Sequence, residues 1–112
     1  MIQVDFQMSR DKKLFSLQLE GHSGMADSGK DIICAAASII TYTIADAVFA
    51  LWKENKLRRP PVVNLHKGKA FIVFSPKRLH YKEAINLFSF AVSGYRLINS
   101  EYPNYLNITR LG

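Results

Sequence analysis

A single cysteine stands in the whole chain, Cys34, and that scarcity excludes an intrachain disulfide. A lone thiol used chemically suits a reducing cytoplasm rather than an oxidising compartment, so the expected location is cytoplasmic. Acidic side chains are also few. Nine Asp and Glu face 15 Lys and Arg, a formal charge of +6 that favours anionic partners by steering and is silent about fold. No internal repeat, low-complexity tract or interdomain linker breaks the sequence, and no aromatic-rich RNA-binding signature or cofactor motif is present. Met1-Ile2-Gln3-Val4-Asp5 has neither a basic start nor an uninterrupted apolar run, so no signal peptide is expected. What is there is a chain of 112 residues, 48% hydrophobic and 21% charged, which predicts one domain over residues 1–112 with a single core.

Hydrophobic periodicity places the elements. Ile2, Val4, Phe6 and Met8 alternate with polar residues, as do Phe15, Leu17 and Leu19, so two strands joined by a polar turn over Ser9 to Lys13 form a hairpin. A helix follows from Ile32 to Trp52. Its apolar rows are Ile33, Ala36, Ile40, Ile44, Ala47, Leu51 and Ile32, Ile39, Val48, Trp52, which leave little polar surface. Cover on most sides is expected, with a second copy of the chain as the natural partner, hence a homodimer. Asp46 and several hydroxyls argue against a membrane span, so no membrane is expected. Pro60-Pro61 stops any helix. Val62 to His66 and Ala70 to Phe74 predict a second hairpin about Lys67-Gly68, the latter strand apolar on both faces like a central strand. Ser75 to Arg78 reads as a loop. A second helix from about Tyr81 to Ser100 carries the stripe Ala84, Leu87, Phe88, Ala91, Tyr95, Ile98, with Gly94 permitting close packing on the first helix. Leu106, Ile108 and Arg110 make a last strand. The order ββαββαβ predicts an α+β layered domain with a mostly antiparallel sheet and two helices.

The stretch from Gly21 to Ser38, GHSGMADSGKDIICAAAS, carries the chemistry. Asp31 is an N-cap type residue, which puts Cys34 at the third helical position, where unpaired N–H groups and the helix dipole favour an anion. A cysteine nucleophile works as its thiolate, and an ordinary thiol loses its proton only near pH ~8.5, so such stabilisation matters. His22 as imidazolium could pair with that thiolate and act as general acid. Twelve positions separate the two. They meet only if the loop holding Gly24 and Gly29 folds back, and the Gly21 hinge and these glycines make it pliable. Other readings stand beside this one on spacing alone. A lone cysteine in an alanine-rich helix is most often a small buried hydrophobe. His22 could merely bond a turn. A metal held by His22, Asp27, Asp31 and Cys34 lacks a second thiol or paired histidine, so no metal is expected. Ser38, four residues after Cys34, shares its helix face and could donate at the site, or bond back to a carbonyl one turn earlier.

Taken together, Gly21-His22, Gly29, Asp31, Cys34-Ala35-Ala36 and Ser38 resemble the signature of the bacterial ribosomal-processing cysteine protease family, Prp. Chain length and element order agree with it as well. Some members carry glycine where this chain has Ala36. The resemblance implies that His22 and Cys34 are a catalytic dyad and that the substrate is a short, apolar, aromatic-containing N-terminal extension of a large-subunit ribosomal protein. On this reading first-turn N–H groups, with Ser38, hold the oxyanion. Asp31 caps and positions the helix, because its charge close to sulfur opposes thiolate formation. The loop from Ser23 to Lys30 orders around substrate. The rival reading is a non-catalytic ribosome-associated or RNA-binding module, resting on Lys53, Lys56, Arg58, Arg59, Lys67, Lys69, Lys77, Arg78 and Lys82 near turns. Such residues more commonly keep a protein soluble, so nucleic acid is not the expected main partner.

Overall fold

Alternating apolar residues build the expected first hairpin, β1 (Ile2–Met8) and β2 (Phe15–Glu20), with register Val4 opposite Leu19 and Phe6 opposite Leu17. The computed structural model describes residues 1–11, 13–22 and 31–111. In the turn, Asp11 accepts from the Ser9 hydroxyl at 2.6 Å and from the Lys13 N–H at 3.0 Å. Those two bonds, the Ser9 bond foremost, hold its carboxyl below the usual carboxylate range.

The remaining elements are α1 (Ile32–Lys53), β3 (Val62–His66), β4 (Lys69–Phe74), α2 (Tyr81–Glu101) and β5 (Leu106–Leu111). They form a five-stranded sheet in the order β3-β4-β2-β1-β5. Three of its pairings are antiparallel and β5 runs parallel to β1, so the sheet is mixed and mostly antiparallel, as expected of this α+β order. Ser75 to Arg78 is less loop-like than its sequence. Pro76 bridges Leu57, and Arg78 opens a short 3-10 turn that leads into α2.

Both helices pack on the sheet face that carries Val4, Leu17 and Ile72, each at most 2% exposed. Phe88 of α2 meets Phe6 and Phe15 edge-on at 5.6 and 5.4 Å, while Phe15 stacks on Phe74 at 5.1 Å. Edge-on contacts of this kind add to what area burial already contributes. Gly94 lets the helices approach as expected: a Cβ there would come within 2.9 Å of Ile40 Cδ1.

The buried face of α1 is rotated from the expected rows. Ala37, Thr41 and Ala45 are buried, whereas Ala36, Ile40 and Ala47 are only half-buried and Ile32, Ile39 and Trp52 are exposed. A polar residue sits inside because its hydroxyl is satisfied: Thr41 Oγ1 donates to the Ala37 carbonyl at 2.8 Å and lies 2.7 Å from the Tyr95 hydroxyl. Since Thr41 has one O–H to give, Tyr95 donates in that contact. On α2, Val92 is buried and Leu87 only half so. Among the described residues α1 is the helix long and apolar enough to cross a membrane, yet seven of its residues lie in the core of this domain. It also stops before Pro60-Pro61. Asn55 takes the left-handed conformation (φ 62°), and the Lys56 N–H returns to the Leu51 carbonyl at 2.9 Å.

Burial pushes the Tyr95 hydroxyl up to about 12. Folding therefore favours the neutral phenol. Its contribution is complete below the ordinary tyrosine range near pH ~10 and disappears as pH rises through about 12. Tyr95→Phe is expected to cost about 1 kcal/mol at neutral pH through the lost hydrogen bond and to blunt alkaline destabilisation by about 2–3 kcal/mol. Denaturant titrations at pH 8 and pH 12 measure both.

Candidate active site

Two chain segments, with His22 and Cys34 twelve positions apart, meet at one end of the sheet. At the end of β2, Glu20 pairs with Lys69, so the next residue, Gly21, lies beside the β3–β4 turn. Its N–H donates to the Gly68 carbonyl at 2.8 Å. Gly21 has φ +100°, and a Cβ there would stand 2.5 Å from the Met1 carbonyl oxygen, so only glycine fits where the chain turns out of the sheet. His22 follows, exposed, with its ring against Gly68.

The second segment is the start of α1. Asp31 is extended (φ −82°, ψ 102°), and its carboxylate accepts from the Ile33 and Cys34 N–H groups, each at 3.0 Å. Its own carbonyl takes the Ala35 N–H at 3.1 Å. This is the N-cap that the spacing predicts, with Cys34 at the third helical position and half-buried. One expectation changes. The Ile33 and Cys34 donors are engaged by the capping carboxylate, so the first turn does not offer them to an oxyanion. A carboxylate is a stronger acceptor than a neutral cap, which is why it takes both.

His22, Cys34 and Ser38 line one cavity of about 310 Å³, with Gly21 at its edge. Ile2, Leu19, Ala37 and Ala70 give it an apolar floor, and Thr41, Tyr42 and the turn residues His66, Lys67 and Gly68 complete its lining. The histidine, thiol and serine of the motif thus line one common space. Gly24, Gly29 and Asp27 lie outside the described residues. Among the described residues no group of three or more His, Cys, Asp or Glu side chains gathers to hold a metal ion.

Sequence reasoning missed Tyr42 and the turn. Tyr42 was within reach, since it continues the helix face of Cys34 and Ser38 at intervals of four. His66 to Gly68 were not, because only the β2–β4 register brings that turn to the site. Part of the basic cluster is engaged locally. Lys56 bridges Glu54 and Glu83, both at 2.8 Å. Arg58 donates to the Pro76 carbonyl and to the Tyr81 hydroxyl, and Lys77 Nζ reaches Asn55. These bonds tie the end of α1 to the start of α2. They give those three residues an intramolecular task.

The sequence profile of the family described as Cysteine protease Prp matches residues 1–107. A ribosomal processing cysteine protease Prp of Bacillus subtilis (strain 168) is 33% identical over 51 residues, 46% of each chain. Its counterpart of Staphylococcus aureus (strain Mu50) is 32% identical over 54 residues, 48% of this chain and 51% of that protein. The chain thus spans about half the length of the curated relatives it matches. The crystal structure of a ribosomal processing protease Prp from S. aureus, in complex with a covalently linked product peptide, shares the fold. It superposes with a TM-score of 0.78 at 22% identity, covering 99% of this chain and 100% of that one.

Proposed function

The chain belongs to the cysteine protease Prp family, and from that premise we propose that it is a cysteine endopeptidase with His22 and Cys34 as its dyad. The observation that carries this reading is the cavity the two side chains share. In the proposed cycle His22 accepts the thiol proton while Cys34 Sγ bonds to the scissile carbonyl carbon. The tetrahedral intermediate collapses as His22 returns the proton to the departing amine, leaving a thioester on Cys34. Water, deprotonated by His22, then attacks the thioester and releases the carboxylate product and the thiol. With the Ile33 and Cys34 N–H groups taken by Asp31, the Ser38 hydroxyl in the cavity is the oxyanion donor among the motif residues. No cofactor or metal enters the cycle.

The substrate is the N-terminal extension of a large-subunit ribosomal protein. The names of the relatives support ribosomal processing, and the apolar cavity floor suits an apolar, aromatic-containing segment. A single thiol doing such chemistry belongs in a reducing cytoplasm. The chain acts as a homodimer, because Ile39, Phe90 and Leu97 stand 62, 77 and 67% exposed on the two helices, and a second copy would cover them. Sedimentation velocity checks this: a dimer that Ile39→Glu weakens at least tenfold is expected, and a monomer at ~50 μM contradicts it. For the activity itself, the extended ribosomal precursor incubated with the protein is expected to lose its extension by cleavage at one bond. A precursor left intact by folded protein would contradict the reading.

A further inference from the structure

The imidazole of His22 rests against Gly68, so that a side chain at position 68 would push the ring aside. A Cβ at position 68 would stand 2.7 Å from His22 Nε2 and 2.9 Å from Cε1, closer than real Cβ atoms come to other groups. The same turn holds the backbone next to the histidine, through the 2.8 Å bond from the Gly21 N–H to the Gly68 carbonyl. Ring and backbone are thus located from one place, on a hairpin whose sequence is nearly fifty positions from His22.

We infer that Gly68 is a positioning residue for His22: its missing side chain sets where the imidazole lies relative to Cys34. This rests on the proteolytic reading of the dyad. Gly68 also has φ +76°, which by itself favours glycine in the turn. The turn conformation and the ring contact make separable demands. Asparagine tolerates the left-handed region, so it meets the first demand, but it carries a Cβ and fails the second. Proton transfer falls steeply with misplacement, and about 1 Å costs on the order of a hundredfold.

The test compares wild type, Gly68→Ala and Gly68→Asn by steady-state cleavage of a precursor peptide, thermal unfolding, and long-range 1H–15N spectra of the histidine rings, with His22→Gln supplying the His22 assignment. Both variants are expected to lose about a hundredfold in kcat with KM within about threefold. The Asn variant should melt close to wild type and the Ala variant lower. In both, the His22 ring signals move while those of His80, away from the turn, stay in place. Wild-type kcat in the folded Asn variant would overturn the inference, as would His22 ring signals that do not move in either variant. If the wild type cleaves no peptide, the proteolytic reading fails, and the ring spectra alone decide whether Gly68 sets the imidazole.

Discussion

His22→Ala is expected to lower kcat for precursor cleavage by about 10²–10⁴-fold, with little change in KM or stability. His22 is exposed, and the Gly21 N–H bond to Gly68 is a backbone interaction, so truncating the imidazole removes little that the fold depends on. What it removes is the imidazole proposed to take the thiol proton and return it to the leaving amine. The loss should appear in kcat because that task belongs to the transition state and not to substrate binding. A merely structural histidine predicts the reverse, a lowered melting temperature with kcat close to wild type. Steady-state kinetics beside a thermal melt separate the two.

Asp31→Ala is expected to destabilise the protein by ~2 kcal/mol, or roughly 10 °C in Tm, and to abolish most activity. Asp31 is 6% exposed, and its carboxylate satisfies two N–H groups at the start of α1, one of them on Cys34. Alanine withdraws the acceptor, so the first turn that holds the nucleophile loosens. Asparagine keeps an oxygen in the same place and is expected to retain most of the stability. If Asp31 acts as cap and positioner, Asp31→Asn keeps activity within about tenfold of wild type, because removing a negative charge near sulfur does not hinder thiolate formation. If the charge itself were required, Asp31→Asn would be as inactive as Asp31→Ala while melting near wild type. Kinetics and melting curves on the two variants tell these apart.

The features most legible in the sequence were those set by short-range rules. Alternation in Ile2 to Met8 and Phe15 to Leu19 specified both strands and their turn, and the spacing of Asp31 to Cys34 specified the cap and the placement of the thiol. The motif put His22, Cys34 and Ser38 forward as candidate site residues, and the three line one cavity. The missed features depend on partners distant in the chain. A strand period says nothing of direction, so the parallel pairing of β5 with β1 was not readable from Leu106, Ile108 and Arg110. Thr41 looked like an interruption of an apolar helix because its partner, Tyr95, lies 54 positions on. Gly68 looked like an ordinary turn glycine because nothing local announces the imidazole packed against it. The capture of the Ile33 and Cys34 N–H groups by Asp31 was implicit in the N-cap reading, and it redirects the search for an oxyanion donor to the cavity's side chains.

The central claim is that Cys34 and His22 act as one catalytic pair, and intact-protein mass spectrometry during turnover of the extended ribosomal precursor tests it most directly. The account predicts precursor cleaved at one bond, a transient mass on the wild-type enzyme equal to the released extension less water, and neither signal with Cys34→Ala or His22→Ala. Cleavage that persists in Cys34→Ala, or a covalent adduct carried on any residue other than Cys34, would contradict it.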